Sequence, residues 1–150
     1  MKIVFTKGPA KYDFMDVYRD GKLVERVECP KQGMIPHDMV HYAVEHTLHT
    51  RGFLERVKEG EPAGFQMKAK PESDAVERLV EVFQGDEWSG GSTSPADMIE
   101  MYRVTCQARE CSALALDDES IMAVRAEIAD LTMRWKEIKR LFTKGYLDDV

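Results

Sequence analysis

All four histidines of the chain lie in one short segment, at positions 37, 41, 46 and 49. His37 and His41 are four residues apart, a spacing that places two imidazoles on one side of a helix and lets both contact one metal ion. The local pattern H-D-x-x-H is close to the H-E-x-x-H motif of zinc-dependent hydrolases, in which the acidic residue is the general base. The segment is therefore a candidate zinc site, with His37 and His41 as ligands and Asp38 as the candidate catalytic residue, although Asp is one methylene shorter than Glu.

A catalytic zinc site also needs a third protein ligand. Glu45 is the candidate on the same helix, but it lies eight residues after His37, which is about 12 Å along a helix axis. Three ligands from one straight helix would therefore be strained over that length. The alternatives are Cys29 in the preceding loop and Glu77 or Glu81 in a later helix, and the sequence does not distinguish among them.

The same residues have a structural interpretation, which the sequence favours over the metal site. A carboxylate at Asp38, close to the start of a helix, stabilises that helix end regardless of function. His37 and His41 lie at the border of the apolar face, where an imidazole can hydrogen-bond a carbonyl or a carboxylate. Cys29 is also a candidate nucleophile with one of these histidines as its base, but no local signature supports that pairing.

The histidines are expected on a helix that begins at Pro36 and runs to about Thr50. Proline suits the first position of a helix, and Gly52 is a natural stop. A helical wheel places His37 and His41 at the edge of the core face and His46 towards solvent. The predicted core face consists of Met39, Val40, Ala43, Val44, Thr47 and Leu48.

The elements around this helix predict an α+β protein with a single domain over residues 1–150. A three-stranded antiparallel β-meander is expected in residues 1–29, with a tight hairpin at Asp20-Gly21. About four helices are expected in residues 35–145, and the last of them is long. The predicted helices after the histidine segment cover a short continuation over 53–59, then 72–85, 94–109 with Ser94 as its cap, and 117 or 118 to about 142. Residues 86–93 are expected to be a flexible connector.

The last helix has an apolar residue at every third or fourth position, which is a heptad seam over three repeats. This seam predicts either a homodimer through residues 121–142 or packing of the helix inside its own domain. The seam consists of Ile121, Val124, Ile128, Leu131, Trp135, Ile138 and Phe142.

Composition limits the partners and the compartment. The formal net charge of −6 argues against a nucleic-acid or anionic-membrane partner. No apolar run approaches the roughly 18 residues of a membrane span. The N-terminus lacks the features of a signal peptide, and three cysteines do not suggest a disulfide framework. The protein is therefore expected in the cytoplasm.

Several segments together resemble a group of small bacterial proteins labelled hypothetical. The resemblance is carried by Cys29-Pro-Lys-Gln-Gly followed by Pro36-His-Asp-Met-Val-His-Tyr-Ala-Val-Glu45, and it extends through Arg51-Gly-Phe-Leu and Gln84-Gly-Asp-Glu-Trp-Ser-Gly-Gly. It implies a bacterial, cytoplasmic origin. It supplies no activity, ligand or site residue.

Three functions are consistent with these features. A non-catalytic domain that binds a protein partner or itself is the first, because the chain lacks a complete catalytic set. A zinc-dependent hydrolase or metal-binding protein centred on His37 and His41 is the second. A small-molecule pocket between the sheet and the helices, with these histidines and Tyr42 at its rim, is the third. The sequence does not decide whether the protein is an enzyme.

Overall fold

The computed structural model describes residues 1–63, 71–138 and 144–148. It confirms the α+β class, with an antiparallel sheet at the N-terminus and helices after it. The strands are β1 (Lys2–Thr6), β2 (Tyr12–Arg19), β3 (Lys22–Pro30) and β4 (Lys144–Asp148). The helices are α1 (His37–Leu48), α2 (Phe53–Lys58), α3 (Pro71–Trp88), α4 (Pro95–Ala108) and α5 (Asp118–Glu137).

The sheet has the order β3-β2-β1-β4, and every neighbouring pair is antiparallel. The predicted hairpin joins β2 to β3, where Asp20 and Gly21 have φ angles of 50° and 75°, as a type I′ turn requires. The fourth strand was not predicted from the sequence. It pairs along the whole of β1, from Lys2 opposite Asp148 to Thr6 opposite Lys144.

Local capping signals set the starts of the two last helices. The Ser94 side chain accepts a hydrogen bond from the backbone N–H of Asp97 at 3.1 Å, which confirms the predicted cap of α4. The Asp117 carboxylate accepts from the backbone N–H of Ser120 at 2.8 Å and caps α5. Both caps satisfy N–H groups that a helix start otherwise leaves without an intrahelical partner.

Helix α3 is longer than expected, and the prediction that residues 86–88 belong to a flexible connector is wrong. The helix continues to Trp88, and tertiary contacts explain the extra turn. The buried Asp86 carboxylate forms a bidentate ion pair with Arg125 of α5, at 3.1 and 3.0 Å, and accepts from the backbone N–H of Thr93. These bonds hold the end of α3 against α5.

Helix α5 uses its apolar seam inside the protein. The described seam residues, Ile121 to Ile138, are all at most 9% exposed. Of the two predictions for this seam, the structure therefore agrees with packing of the helix inside its own domain. The prediction that this helix runs to about Phe142 is wrong at its end. Ile138 has φ −78° and ψ 123°, which is extended backbone, and Phe142 lies outside the described residues.

Helix α1 lies at the centre of the helical layer, where it packs against both α3 and α5. Its buried face includes Met39, Val40, Ala43 and Val44, as predicted. The contact with α3 brings a second helix beside the two histidines. No helix in the described ranges is long and apolar enough to cross a membrane.

Candidate metal centre

His37 and His41 occupy successive turns of α1, and their rings meet edge to face with centroids 4.9 Å apart. His41 is buried, with 3% of its side chain exposed, whereas the His37 side chain is 36% exposed. The pair therefore spans the border between the core and solvent, as the helical wheel predicts.

Glu77 of α3 faces both rings. Its Oε2 lies 2.7 Å from Nε2 of His41, and its Oε1 lies 3.1 Å from Nε2 of His37. One ligand atom from each of the three residues can be chosen so that all lie within 4.8 Å of one another. A tetrahedral zinc with bonds of about 2.0–2.1 Å places its ligand atoms roughly 3.3 Å apart, so small side-chain movements would let all three bind one ion.

The other ring nitrogens are held by two acceptors. Nδ1 of His37 lies 3.0 Å from Oε1 of Gln84, and Nδ1 of His41 lies 3.2 Å from Oε2 of Glu45. Because these oxygens accept hydrogen bonds, each Nδ1 carries the proton that it donates. That leaves Nε2 of both rings for Glu77 or for an ion. Metal-binding histidines are characteristically oriented in this way by a second hydrogen bond.

The predicted metal ligand Glu45 lies on the inner side of His41. Its buried carboxylate accepts hydrogen bonds from the backbone N–H groups of Gly52, Leu54 and Glu55, at 3.1 to 3.2 Å. These are N–H groups at the start of α2, a helix without a side-chain cap of its own. Glu45 therefore caps α2 and orients His41. The sequence left four candidates for the third metal ligand, and of these it is Glu77 that faces both histidines.

Gly52 permits this close contact between α1, α2 and α3. A Cβ atom at this position would lie 2.6 Å from Cγ1 of Val76 and 2.7 Å from Cδ of Glu45. Both distances are far below van der Waals contact, so any side chain at this position would displace the carboxylate or α3. The glycine predicted as a helix stop is thus also a packing requirement of the site.

The predicted catalytic residue Asp38 points towards β3. Its Oδ2 lies 3.8 Å from the thiol sulfur of Cys29, and it is not among the three residues that share ligand distances. Burial raises the pKa of Asp38 above its usual value, while the neighbouring histidines oppose that rise. Burial also raises the pKa of the Cys29 thiol, with Asp38 adding to the effect. A thiol in such surroundings is not activated as a nucleophile.

The three central groups stabilise one another as charges. Burial alone would lower the pKa of His41, but its hydrogen bonds to Glu45 and Glu77 outweigh burial and raise that pKa to about 10. The pKa of His37 is also raised, because the hydrogen bond to Glu77 overcomes burial. Burial would raise the pKa of Glu77, yet the two histidines hold it well below its usual value. Without an ion, a pKa of about 10 makes His41 an imidazolium that pairs with the Glu77 carboxylate.

Sequence reasoning missed Gln84, although a signal was present. Glu77 and Gln84 are seven residues apart, which is two helical turns, and both directly follow residues of the buried stripe Val76, Leu79, Val80 and Phe83. Two polar side chains on the same border of an amphipathic helix indicate a shared partner on the neighbouring helix. The remaining histidines do not join the site: His46 and His49 are exposed.

The chain has no match among protein-family models, curated proteins or solved structures.

Proposed function

We propose that the protein binds a divalent transition-metal ion, in the simplest case zinc, through His37, His41 and Glu77. The observation that carries the proposal is the orientation of the two imidazoles. Each directs Nε2 towards the same carboxylate while a buried acceptor holds its Nδ1. Two histidines and one glutamate are a donor set that zinc uses in hydrolytic enzymes.

The exposure of the cluster favours a reactive site over a structural one. Structural zinc sites are closed by four protein ligands, whereas catalytic sites keep one position for water or substrate. Here three ligands converge, and the side chains of His37 and Glu77 remain 36% and 30% exposed. A bound zinc ion at such a site supplies Lewis-acid chemistry that activates water. We therefore propose metal-dependent hydrolysis as the reaction class.

The competing explanation is that the cluster only stabilises the packing of α1 against α3. Its hydrogen bonds are complete without an ion, so a purely structural network satisfies the same geometry. The two explanations differ in one measurable respect. A metal site predicts that zinc raises the stability of the folded protein by mass action, whereas a structural network predicts no such effect.

Metal content and thermal unfolding test the binding proposal. Purified protein should retain zinc close to one equivalent by elemental analysis, and zinc added to chelator-treated protein should raise its unfolding temperature. Both effects should be lost in the His37→Ala, His41→Ala double variant. They should persist in the matched control His46→Gln, His49→Asn, which changes the two exposed histidines of the same segment. No metal and no zinc-dependent stabilisation in the wild type would reject the proposal.

Hydrolysis is tested separately with the zinc-loaded protein. Activated esters and phosphodiesters, such as p-nitrophenyl acetate and bis(p-nitrophenyl) phosphate, should be cleaved faster by the zinc-loaded wild type than by the double variant. Equal rates for the two proteins, with zinc bound to the wild type, would leave a metal-binding protein without hydrolytic activity towards these substrates.

Self-association is a second proposal, supported by two exposed methionines of α5. Met122 and Met133 are 54% and 66% exposed, while the seam of that helix is buried. A homodimer through α5 would therefore use this outer surface. Light scattering coupled to size-exclusion chromatography should show a dimer that Met133→Lys weakens. A strictly monomeric wild type at high concentration would contradict it. We also propose that the protein is located in the cytoplasm.

A further inference from the structure

A groove of about 540 Å³ lies beside the metal centre and is separate from it. Its walls come from Lys7 and Asp13 beside the β1–β2 connection, the loop between β3 and α1, the end of α3 and the C-terminal end of α5. Sites for small molecules in proteins commonly measure about 300–1,000 Å³, so the groove has a suitable size. Its lining combines aromatic rings with ammonium groups, and each of these points to a feature of the ligand.

Both tryptophans of the chain line this groove. The Trp88 side chain is anchored, because its indole Nε1–H donates to the carbonyl oxygen of Gln32 at 3.2 Å, yet the residue remains 59% exposed. Trp135 is buried at 8% exposure, and the ammonium group of Lys7 lies 5.1 Å from its ring centroid. A fixed and largely exposed indole provides an apolar plane on which a planar ring can stack.

The groove is locally cationic in an acidic protein. Its lining includes three ammonium groups, those of Lys7, Lys31 and Lys136, and two carboxylates, those of Asp13 and Glu87. The Asp13 carboxylate is buried and already accepts hydrogen bonds from Lys31 and from a backbone N–H. Since Lys31 and Asp13 pair with each other, Lys7 and Lys136 stand against Glu87, so a chain with a net charge of −6 presents an excess of one positive charge beside its exposed indole.

We infer that this groove binds a small aromatic anion, whose ring stacks on Trp88 and whose phosphate or carboxylate is attracted by the lysines. The inference does not depend on the proposed metal. The two sites are nonetheless connected, because the Gln32 side chain donates to Oε1 of Gln84 at 3.0 Å, and the same oxygen is the partner of His37. The carbonyl of Gln32 holds Trp88 at the same time.

Nuclear magnetic resonance on the nitrogen-15-labelled full chain tests the inference directly. Each tryptophan gives one indole N–H signal, so both walls of the groove are observed without assignment of the rest of the spectrum. Phenyl phosphate and phenylacetate are titrated in the presence of a chelator. Two further compounds are titrated for comparison: inorganic phosphate, which has the anion without the ring, and benzyl alcohol, which has the ring without the anion. Working without metal keeps the result independent of the proposed zinc site.

We expect saturable shifts of both indole signals with at least one aromatic anion. Its affinity should be roughly tenfold higher than that of inorganic phosphate or benzyl alcohol. Comparing phenyl phosphate with phenylacetate shows whether phosphate or carboxylate is preferred. Equal affinity for inorganic phosphate and phenyl phosphate would overturn the role of the ring. Shifts that stay linear into the millimolar range for both aromatic anions would overturn the site.

Two variants examine the residues named. Trp88→Ala should weaken binding about tenfold, read from the signal of Trp135, since a lost stacking partner has an effect of that order. Lys136→Gln should weaken it several-fold, and because Lys136 is exposed, this variant is expected to fold normally. The matched control, Lys22→Gln, changes an exposed lysine at the distant hairpin and should leave binding unchanged. Wild-type affinity in both groove variants would refute the inference.

Discussion

Replacing Glu77 with glutamine separates the metal site from a structural network, because glutamine preserves shape and removes charge. In metal-free protein the change removes a charge-assisted hydrogen bond to buried His41, which contributes about 2 kcal/mol. It also removes the bond to His37, which contributes less than about 1 kcal/mol at its greater exposure. We expect Glu77→Gln to lower the free energy of unfolding by about 2–3 kcal/mol and the unfolding temperature by roughly 4–10 °C.

The zinc response gives the sharper measurement. At a free zinc concentration 100 times its dissociation constant, the wild type should gain about 2.7 kcal/mol of stability, or roughly 5–10 °C in unfolding temperature. Glu77→Gln should lose most of this gain, because losing a ligand costs more than the 10–100-fold in affinity typical of an orienting residue. Urea unfolding and thermal scans with and without zinc measure both quantities.

Glu81→Gln is the matched control. Glu81 lies one turn further along α3, is exposed and pairs with Arg78, and the sequence offered it as an equal alternative to Glu77. Its replacement removes the counter-charge of the buried Arg78 and should therefore cost some stability in metal-free protein, but it should leave the zinc response within experimental error of the wild type. The reasoning is refuted if Glu77→Gln keeps the full zinc response, or if Glu81→Gln loses it.

Four further outcomes follow from contacts in the site and elsewhere in the protein. Gln84→Leu should reduce zinc affinity about 10–100-fold without removing a ligand, measured by competition with a chromophoric chelator. Gly52→Ala should destabilise the protein by about 1–3 kcal/mol in urea unfolding, since its new methyl would collide with Glu45; an unchanged midpoint would contradict the packing described. Arg125→Met leaves the buried Asp86 carboxylate without its counter-charge and should cost about 3–5 kcal/mol. Burial alone would raise the pKa of Asp86, but the hydrogen bonds from Arg125 and a backbone N–H lower it. The stability contributed by this ion pair should therefore be constant above about pH 5 and decline as the pH falls below about 4. In urea unfolding, Asp86→Asn should show a smaller decline over this pH range than the wild type, because only the contribution of Glu77 remains.

The sequence predicts features that depend on neighbouring residues. The Asp20-Gly21 hairpin and the Ser94 cap are determined within four residues of chain, and both are found where expected. The shared face of His37 and His41 follows from helical periodicity alone. In each case a local rule specifies the geometry, and no distant contact is needed to satisfy it.

Features that depend on how helices dock were not predictable in the same way. Glu77 and Glu81 are equivalent as residue types, and only the packing of α3 against α1 brings Glu77 to the histidines. The prediction of Glu45 as a ligand overlooked the backbone N–H groups of α2, which occupy its oxygens. The end of α3 was placed too early because Arg125, 39 residues beyond Asp86, holds the last turn in place.

The pairing of β1 with β4 has a consequence for the order in which the protein assembles. The hairpin of β2 and β3 closes over two residues, whereas Lys2 must meet Asp148 across nearly the whole chain. Closing so long a loop costs more conformational entropy and slows the formation of such contacts. We therefore expect the edge beside β1 to complete last, after the helices have packed, so that a nascent or partly folded chain exposes β1 as an open template for other strands.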